Sequence, residues 1–173
     1  IGGEFSIRVT GLPAGIGSYT QWDQRLDTMI SAHLMSIPGI KAVQIGLGID
    51  CGRLPGSMVH DGIIPSMPKK RATNNAGGIE GGVSNGEHIE VTCTMKPIPT
   101  LQKGLASIDI RDGSACKAQY ERSDYCAVPA ASVVGEAMMI IALTKAILAG
   151  FPLTTMDALS KAFAAQRSYW ESL

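Results

Sequence analysis

No C-x-x-C pair occurs among the four cysteines, Cys51, Cys93, Cys116 and Cys126, and no histidine follows them at zinc-ligand spacing. That argues against a zinc site and leaves no recognisable disulfide framework. Reduced thiols and a cytoplasmic setting are expected. A surplus of one charge is missing too: fifteen Lys and Arg balance fifteen Asp and Glu. No overall field draws the chain to nucleic acid or to an anionic membrane, so any anion binding has to be local. The sequence opens Ile1-Gly2-Gly3, without an initiator Met, a basic n-region or an apolar h-region, and is expected to be a piece of something longer. The most apolar stretch, residues 127–150, is interrupted by Glu136 and Lys145. A spanning helix needs about 18 uninterrupted apolar residues, so a helix of a large core or a subunit interface is expected, with no membrane partner. No Ser-His-Asp or Cys-His arrangement is supported by spacing.

What is present suits one domain of ordinary size: 173 residues, of which 45% are apolar, enough for a substantial core. Residues 1–173 read as a single domain or a fragment of one. Residues 4–10 (EFSIRVT) alternate polar and apolar, the period of a half-buried strand. Over 21–37 the positions Trp22, Leu26, Met29, Ile30, His33 and Ile37 recur at threes and fours, predicting a helix that Pro38-Gly39 stops. Strands are predicted at 40–45 and 89–95, and a hairpin over 105–110 and 115–121 around Asp112-Gly113. Two helices close the chain, one from Pro129 to Leu148 with Gly150 as its stop, the other over 154–170. Strands interleaved with helices make an α/β or α+β domain.

Residues 46–88 hold ten glycines with Pro55, Pro65 and Pro68, and so long an irregular segment is rarely kept unused. Within it, Gly46-Leu47-Gly48-Ile49-Asp50-Cys51-Gly52 follows a predicted strand like a dinucleotide fingerprint. Its last glycine falls one place late, and Arg53-Leu54-Pro55-Gly56 is expected not to open a helix, so a plain turn is the reading. The run from Thr73 to Gly86 is either a mobile surface loop or a cradle whose N–H groups approach a phosphate or a flavin. Lys96-Pro97-Ile98-Pro99-Thr100 ends a predicted strand and is either a solvated terminus or an ammonium and a hydroxyl on a stiffened backbone facing a phosphorylated ligand. Arg122-Ser123-Asp124 joins the hairpin to the long helix, where Asp124 serves as an acid–base group or simply complements the helix N-terminus. His33 reads as a core or interface residue, and His60 and His88 as exposed loop residues.

Taken in order, these segments resemble the C-terminal half of chorismate synthase nearly from end to end. The likeness rests on Gly11-Leu12-Pro13-Ala14-Gly15-Ile16-Gly17-Ser18, on Leu34-Met35-Ser36-Ile37 with the strand after it, and on Asn75-Ala76-Gly77-Gly78-Ile79-Glu80-Gly81-Gly82. It continues through Met95-Lys96-Pro97-Ile98-Pro99-Thr100 and the run from Arg122 to Glu136. The resemblance implies an α+β fold, part of a sandwich of helices packed between antiparallel sheets, that assembles into homotetramers when full length. It implies a lyase of the shikimate pathway that eliminates phosphate and a ring proton from 5-enolpyruvylshikimate 3-phosphate. That reaction uses reduced FMN, with NADPH as one source of reductant. Carried over position by position, Pro38, Gly39, Gly81, Lys96, Pro97, Ile98, Pro99, Thr100 and Arg122 would contact FMN. Asp124 would act in deprotonating the flavin N5, with partial burial raising its pKa. The glycine run, the lysine–proline strand end and the Arg122 corner are expected to converge around one flavin.

Three departures stand beside the likeness. Pro38 takes a position that is usually polar in the family, Tyr125 one that is usually smaller or proline, and the Gly-Glu-Ser-His-Gly motif and catalytic histidines of the family's other half are absent. The chain alone is therefore expected to turn over negligibly. A non-catalytic flavin- or phosphate-binding module, and an oligomerisation domain built on the helix from Pro129, are the readings set against an enzyme fragment.

Overall fold

The computed structural model describes residues 1–65 and 70–172; Pro68, counted above among the loop prolines, lies outside them. The elements run β1 (Gly3–Val9), α1 (Leu26–Met35), β2 (Ile40–Ile45), α2 (Gly56–Val59), β3 (Ile63–Ile64), β4 (Lys70–Arg71), β5 (Ile79–Glu80), β6 (Val83–Ser84), β7 (Ile89–Met95), β8 (Ala106–Ile108), β9 (Ala115–Lys117), α3 (Val128–Gly150) and α4 (Met156–Glu171). The main sheet is antiparallel in the order β1-β7-β2. Its alternation sends Phe5, Ile7, Ile89, Val91 and Cys93 to one buried face. The opposite face carries a polar ladder, with Ser6 and Thr92 hydroxyls 2.9 Å apart and Thr94 donating to Glu4 at 2.8 Å. Cys93 is fully buried, and that burial pushes its thiol up to about 11.

Helices α1 and α3 cover the apolar face, with Leu26, Ile30 and Leu34 of α1 wholly inaccessible. Each such side chain stabilises the fold by about 1.5–3 kcal/mol. Among the described residues this makes one sheet and one helix layer of the α+β architecture. The Lys145 ammonium of α3 lies 3.0 Å from His33 Nε2, while His33 Nδ1 meets the Met29 carbonyl at 2.7 Å. His33 is thus an interface residue between the two helices.

Several boundaries differ from expectation. The helix predicted over 21–37 is shorter. A 3-10 turn at Trp22–Gln24 precedes it, and Arg25 is extended (φ −61°, ψ 140°), which breaks the periodic run and leaves Trp22 76% exposed. The glycine run at 46–52 becomes a 3-10 turn over Gly48–Arg53. Contrary to expectation, a single helical turn, α2, opens directly after Pro55, a position where proline's missing N–H costs nothing. Gly150 is the last residue of α3 rather than the stop beyond it.

Glu136 and Lys145 do not by themselves exclude a membrane span, since the 23-residue α3 is long and apolar enough to cross one by length and composition. Its packing is what gives it a place in the core: Ala131, Gly135, Met139, Ala142, Leu143 and Ala146 are buried, and α3 lies on both β1 and α1. Gly135 sets the closest approach, because a Cβ there would sit 2.6 Å from the Phe5 ring. Gly135→Leu should therefore lower stability by about 1–3 kcal/mol through overpacking. Gly150→Ala, whose added methyl meets nothing within 4 Å, should be neutral or stabilising by up to about 1 kcal/mol. Urea unfolding of the two variants checks both, and equal midpoints would contradict this packing.

Candidate functional site

The strand end after β7 brings two of the predicted segments together. The Lys96 N–H donates to the Gly39 carbonyl at 2.9 Å, and Pro38, Gly39 and Lys96 through Pro99 line one hollow of about 270 Å³. A second hollow, of about 320 Å³, opens on the other side of Pro97 and Ile98 and is walled by Thr100, Tyr120, Ser123, Asp124 and Tyr125. The connection between strand end and corner is specific. The Thr100 hydroxyl donates to the Glu121 carbonyl at 2.7 Å and accepts from the Glu121 N–H at 2.8 Å, which fixes the residue before Arg122. Lys96 and Arg122 are exposed and form no ion pair among the described residues. Lys96 lines the first hollow and Arg122 precedes Ser123 of the second in sequence, so local positive charge stands near the strand end although the composition is balanced.

Asp124 lines the second hollow but is exposed. The partial burial expected of it is not supplied by the described residues. It does not cap α3 either: the cap position is Ala127, with no side-chain hydrogen bond. The reading of Asp124 as a helix cap therefore falls away.

The glycine run behaves differently from both of its readings. Gly77, Gly78 and Gly82 are buried, so the segment is not a loose surface loop. Nor is it an open cradle, because many of its polar groups are used internally. Gly77 donates to Asn74, Asn85 to Gly78 and Ser84 to Ile16, while Gly82 accepts from Leu26 at the start of α1. Gly46 (φ +58°) faces Asn75 and Gly77 so closely that any Cβ would collide with their backbone, so only glycine fits. Gly81 itself is exposed at φ +62° with open space around it. Two of the three segments meet at the hollows described, and Gly81 lines neither of them. Gly81 sits beside Gly82 and the N-terminus of α1, whereas Gly39 follows that helix's C-terminus, and a ten-residue helix spans about 15 Å.

Sequence reading missed Asp61, the residue that organises the glycine run. Its Oδ1 accepts from the Thr73 hydroxyl at 2.5 Å and the Asn75 N–H at 2.8 Å, and its Oδ2 from the Ala76 N–H at 2.8 Å. Its partners are 12 to 15 residues away, too distant for any short-motif signal. His88, expected to be exposed, is half-buried with Nε2 3.2 Å from Glu90.

This geometry has counterparts in known proteins. The chorismate synthase family model matches residues 1–148. The chain belongs to the chorismate synthase family. It is 50% identical to the chorismate synthase of Alkaliphilus metalliredigens over 163 residues, covering 93% of this chain and 43% of that protein. To that of Syntrophomonas wolfei it is 46% identical, over 100% of this chain and 46% of the relative. A crystal structure of chorismate synthase superposes with a TM-score of 0.81 at 40% identity, over 99% of this chain and 44% of the solved one. The chain thus spans about half the length of the relatives it matches. The α+β assignment agrees with that structure. Helix α4 lies beyond the part matched by the family model yet inside the structural match, so its placement is shared by a chorismate synthase structure.

The Asp61 network carries a pH dependence. Burial pushes the Asp61 carboxyl up, but the Thr73 hydroxyl, the Ala76 and Asn75 N–H groups and the Arg71 charge outweigh it and hold the group below its usual value. A lowered folded value means that the ionised form stabilises the fold above the unfolded value, and that this contribution is lost as pH falls toward the folded one. The amide resonances of Asn75 and Ala76 should titrate together below about pH 4. Asp61→Ala, leaving their N–H groups unpaired, should cost about 1–3 kcal/mol in urea unfolding. An unchanged midpoint would show that the carboxylate does not hold this segment.

Proposed function

We propose that this chain supplies the flavin-holding part of a chorismate synthase site for the elimination of phosphate from 5-enolpyruvylshikimate 3-phosphate. The observation that carries the reading is the continuous rim from Pro38-Gly39 through Lys96–Pro99 and Thr100 to Asp124, with Lys96 and Arg122 in no ion pair among the described residues. The residues suit an FMN. Lys96 and Arg122 would neutralise its phosphate, Pro97 and Pro99 stiffen the wall against which a flat ring would rest, and Thr100 ties that wall to the Arg122 corner. Gly81, which lines neither hollow, would reach a flavin from the glycine layer or from another chain of an assembly. Its open surroundings and exposed position are compatible with contact to a neighbouring subunit of a homotetramer.

What bound, reduced FMN supplies is electron density toward the departing phosphate and an N5 that shares in removing the proton. In the substrate one C–O bond to phosphate and one ring C–H bond break, and the electrons of the latter form the new double bond, with no net change of oxidation state. Asp124 would hold the proton released at N5 and pass it to solvent, a role that its exposure makes easy on the solvent side. A water-poor environment would come from covering the second hollow, and the cations would then gain in strength as the dielectric falls. NADPH as reductant, a cytoplasmic location and the homotetramer belong to the same reading.

Titration of the chain with FMN, followed by flavin fluorescence, should show binding that Lys96→Ala and Arg122→Ala each weaken about ten- to a hundredfold, the size of one charge-assisted contact. Unchanged affinity in both would favour a chain whose cations are only solvated. Adding a polypeptide of the family's N-terminal half should restore elimination, and Asp124→Ala should remove that activity while leaving FMN affinity nearly intact. Vigorous turnover by the chain on its own would contradict the assignment of the missing histidines to the other half.

A further inference from the structure

One hollow among the described residues touches none of the predicted flavin contacts. It is an open groove of about 970 Å³ between α4 and the loops at Gly15 and Val83, near the upper end of small-molecule sites. Helix α4 is fastened over it at two points. The Gln166 side chain donates to the Ala14 carbonyl at 2.8 Å, and the Trp170 indole fills the space that the missing side chain of Gly86 leaves. The wall contributed by α4 presents Ala165, Tyr169 and Trp170 to the hollow.

The floor is a charge pair used on one side only. Arg71, whose side chain is 15% exposed, donates through Nε and Nη2 to Glu80 Oε2 at 3.1 and 2.5 Å. Asn85 donates to the same oxygen at 3.0 Å. Three donors thus converge on Oε2, while Glu80 Oε1 and Arg71 Nη1 take part in no hydrogen bond among the described residues. A neutral pair of this kind suits neither a free phosphate, which Glu80 would repel, nor a simple cation, which Arg71 would repel. It suits a ligand that carries both charges on adjacent atoms. Beyond the pair the walls are apolar and aromatic, which selects a ring for the remainder of the ligand.

We propose that this hollow binds a free aromatic α-amino acid, with its ammonium on Glu80 Oε1, its carboxylate on Arg71 Nη1 and its ring against Tyr169 and Trp170. The site lies beside Glu80 and Ser84, close to the Gly81 end of α1 and away from the Lys96 rim. It is therefore apart from the Lys96 rim, although Gly81 follows Glu80 directly in sequence, and occupancy would bear on the Asp61-organised glycine run through Arg71.

Isothermal titration of the 173-residue chain with L-tryptophan, L-tyrosine and L-phenylalanine should find binding for at least one of them. Phenylpropionate, lacking the ammonium, and phenethylamine, lacking the carboxylate, should each bind at least about tenfold more weakly. Glu80→Gln should reproduce the loss seen when the ammonium is removed. Because that change also touches the loop, Ala165→Phe offers a second route. It fills the hollow from α4 without altering the charge pair, and should abolish amino-acid binding while leaving the unfolding midpoint and FMN titration unchanged. Absence of binding by all three amino acids at millimolar concentration would overturn the proposal. So would affinity that survives Ala165→Phe in a folded chain, or equal affinity for phenylpropionate.

Discussion

Strand β7 is the constraint on which the rest of the chain depends. It is paired along its length on both sides, by β1 from Ile89↔Val9 to Met95↔Gly3 and by β2 from Val91↔Ile45 to Met95↔Ile40. Every second side chain of its buried stretch enters the core. With both edges satisfied and Ile89, Val91 and Cys93 inaccessible, neither shift of register nor local opening is cheap. The two ends of the strand are therefore fixed points about 20 Å apart. One end carries Lys96 bonded to Gly39; the other carries Glu90, whose carbonyl accepts from Gly46, and the glycine run behind it. The Lys96 rim and the glycine layer are thus two distinct devices mounted on one rigid bar.

The same geometry explains why glycine is used so heavily beyond the strand. At Gly46 and Gly77 two backbone segments pass in direct contact and exchange hydrogen bonds from Leu47 to Asn75 and from Glu90 to Gly77. Side chains at those positions would prise the layer off the sheet. Asp61 then supplies the acceptors that this layer cannot find in its own backbone, so one carboxylate substitutes for a strand pairing. Glycine here serves packing more than ligand approach, and Gly81 is the one glycine of that run where an added Cβ would meet nothing within 4 Å.

Much of this was legible in the sequence, and where it was not there is a physical reason. The alternation at Ile89–Met95 matched its strand residue for residue, because a strand with one buried face has a period that only burial imposes. The hairpin around Asp112-Gly113 was readable from turn chemistry alone, Gly113 having φ +74°. The helix from Trp22 was over-read because apolar spacing does not register backbone breaks such as extended Arg25. The rim joining Pro38-Gly39 to Lys96–Thr100 and Asp124 was accessible only through family likeness, since nothing local tells a strand end that it will meet a helix end. The Asp61 network and the Arg71–Glu80 floor left no trace in spacing, as both are formed by contacts across many intervening residues. Gly81 lines neither hollow of the rim, since adjacency of motifs in sequence says nothing of distance along a rigid strand.

Two deficits of burial have a common implication. Asp124 lines the second hollow, yet it is exposed. Helix α3 is apolar all round, yet only one side is covered, with Val133, Val134, Ile140 and Ile141 left open. A helix with no polar face is stable when both sides are packed, and a carboxylate tunes its proton affinity when water is displaced. Both requirements call for additional protein over surfaces that the sheet does not reach. Because the chain spans about half the length of its relatives, the rim at Lys96, on the reading proposed above, is a half-site. Its cations and hydrogen bonds are already in place, while its dielectric is set from outside.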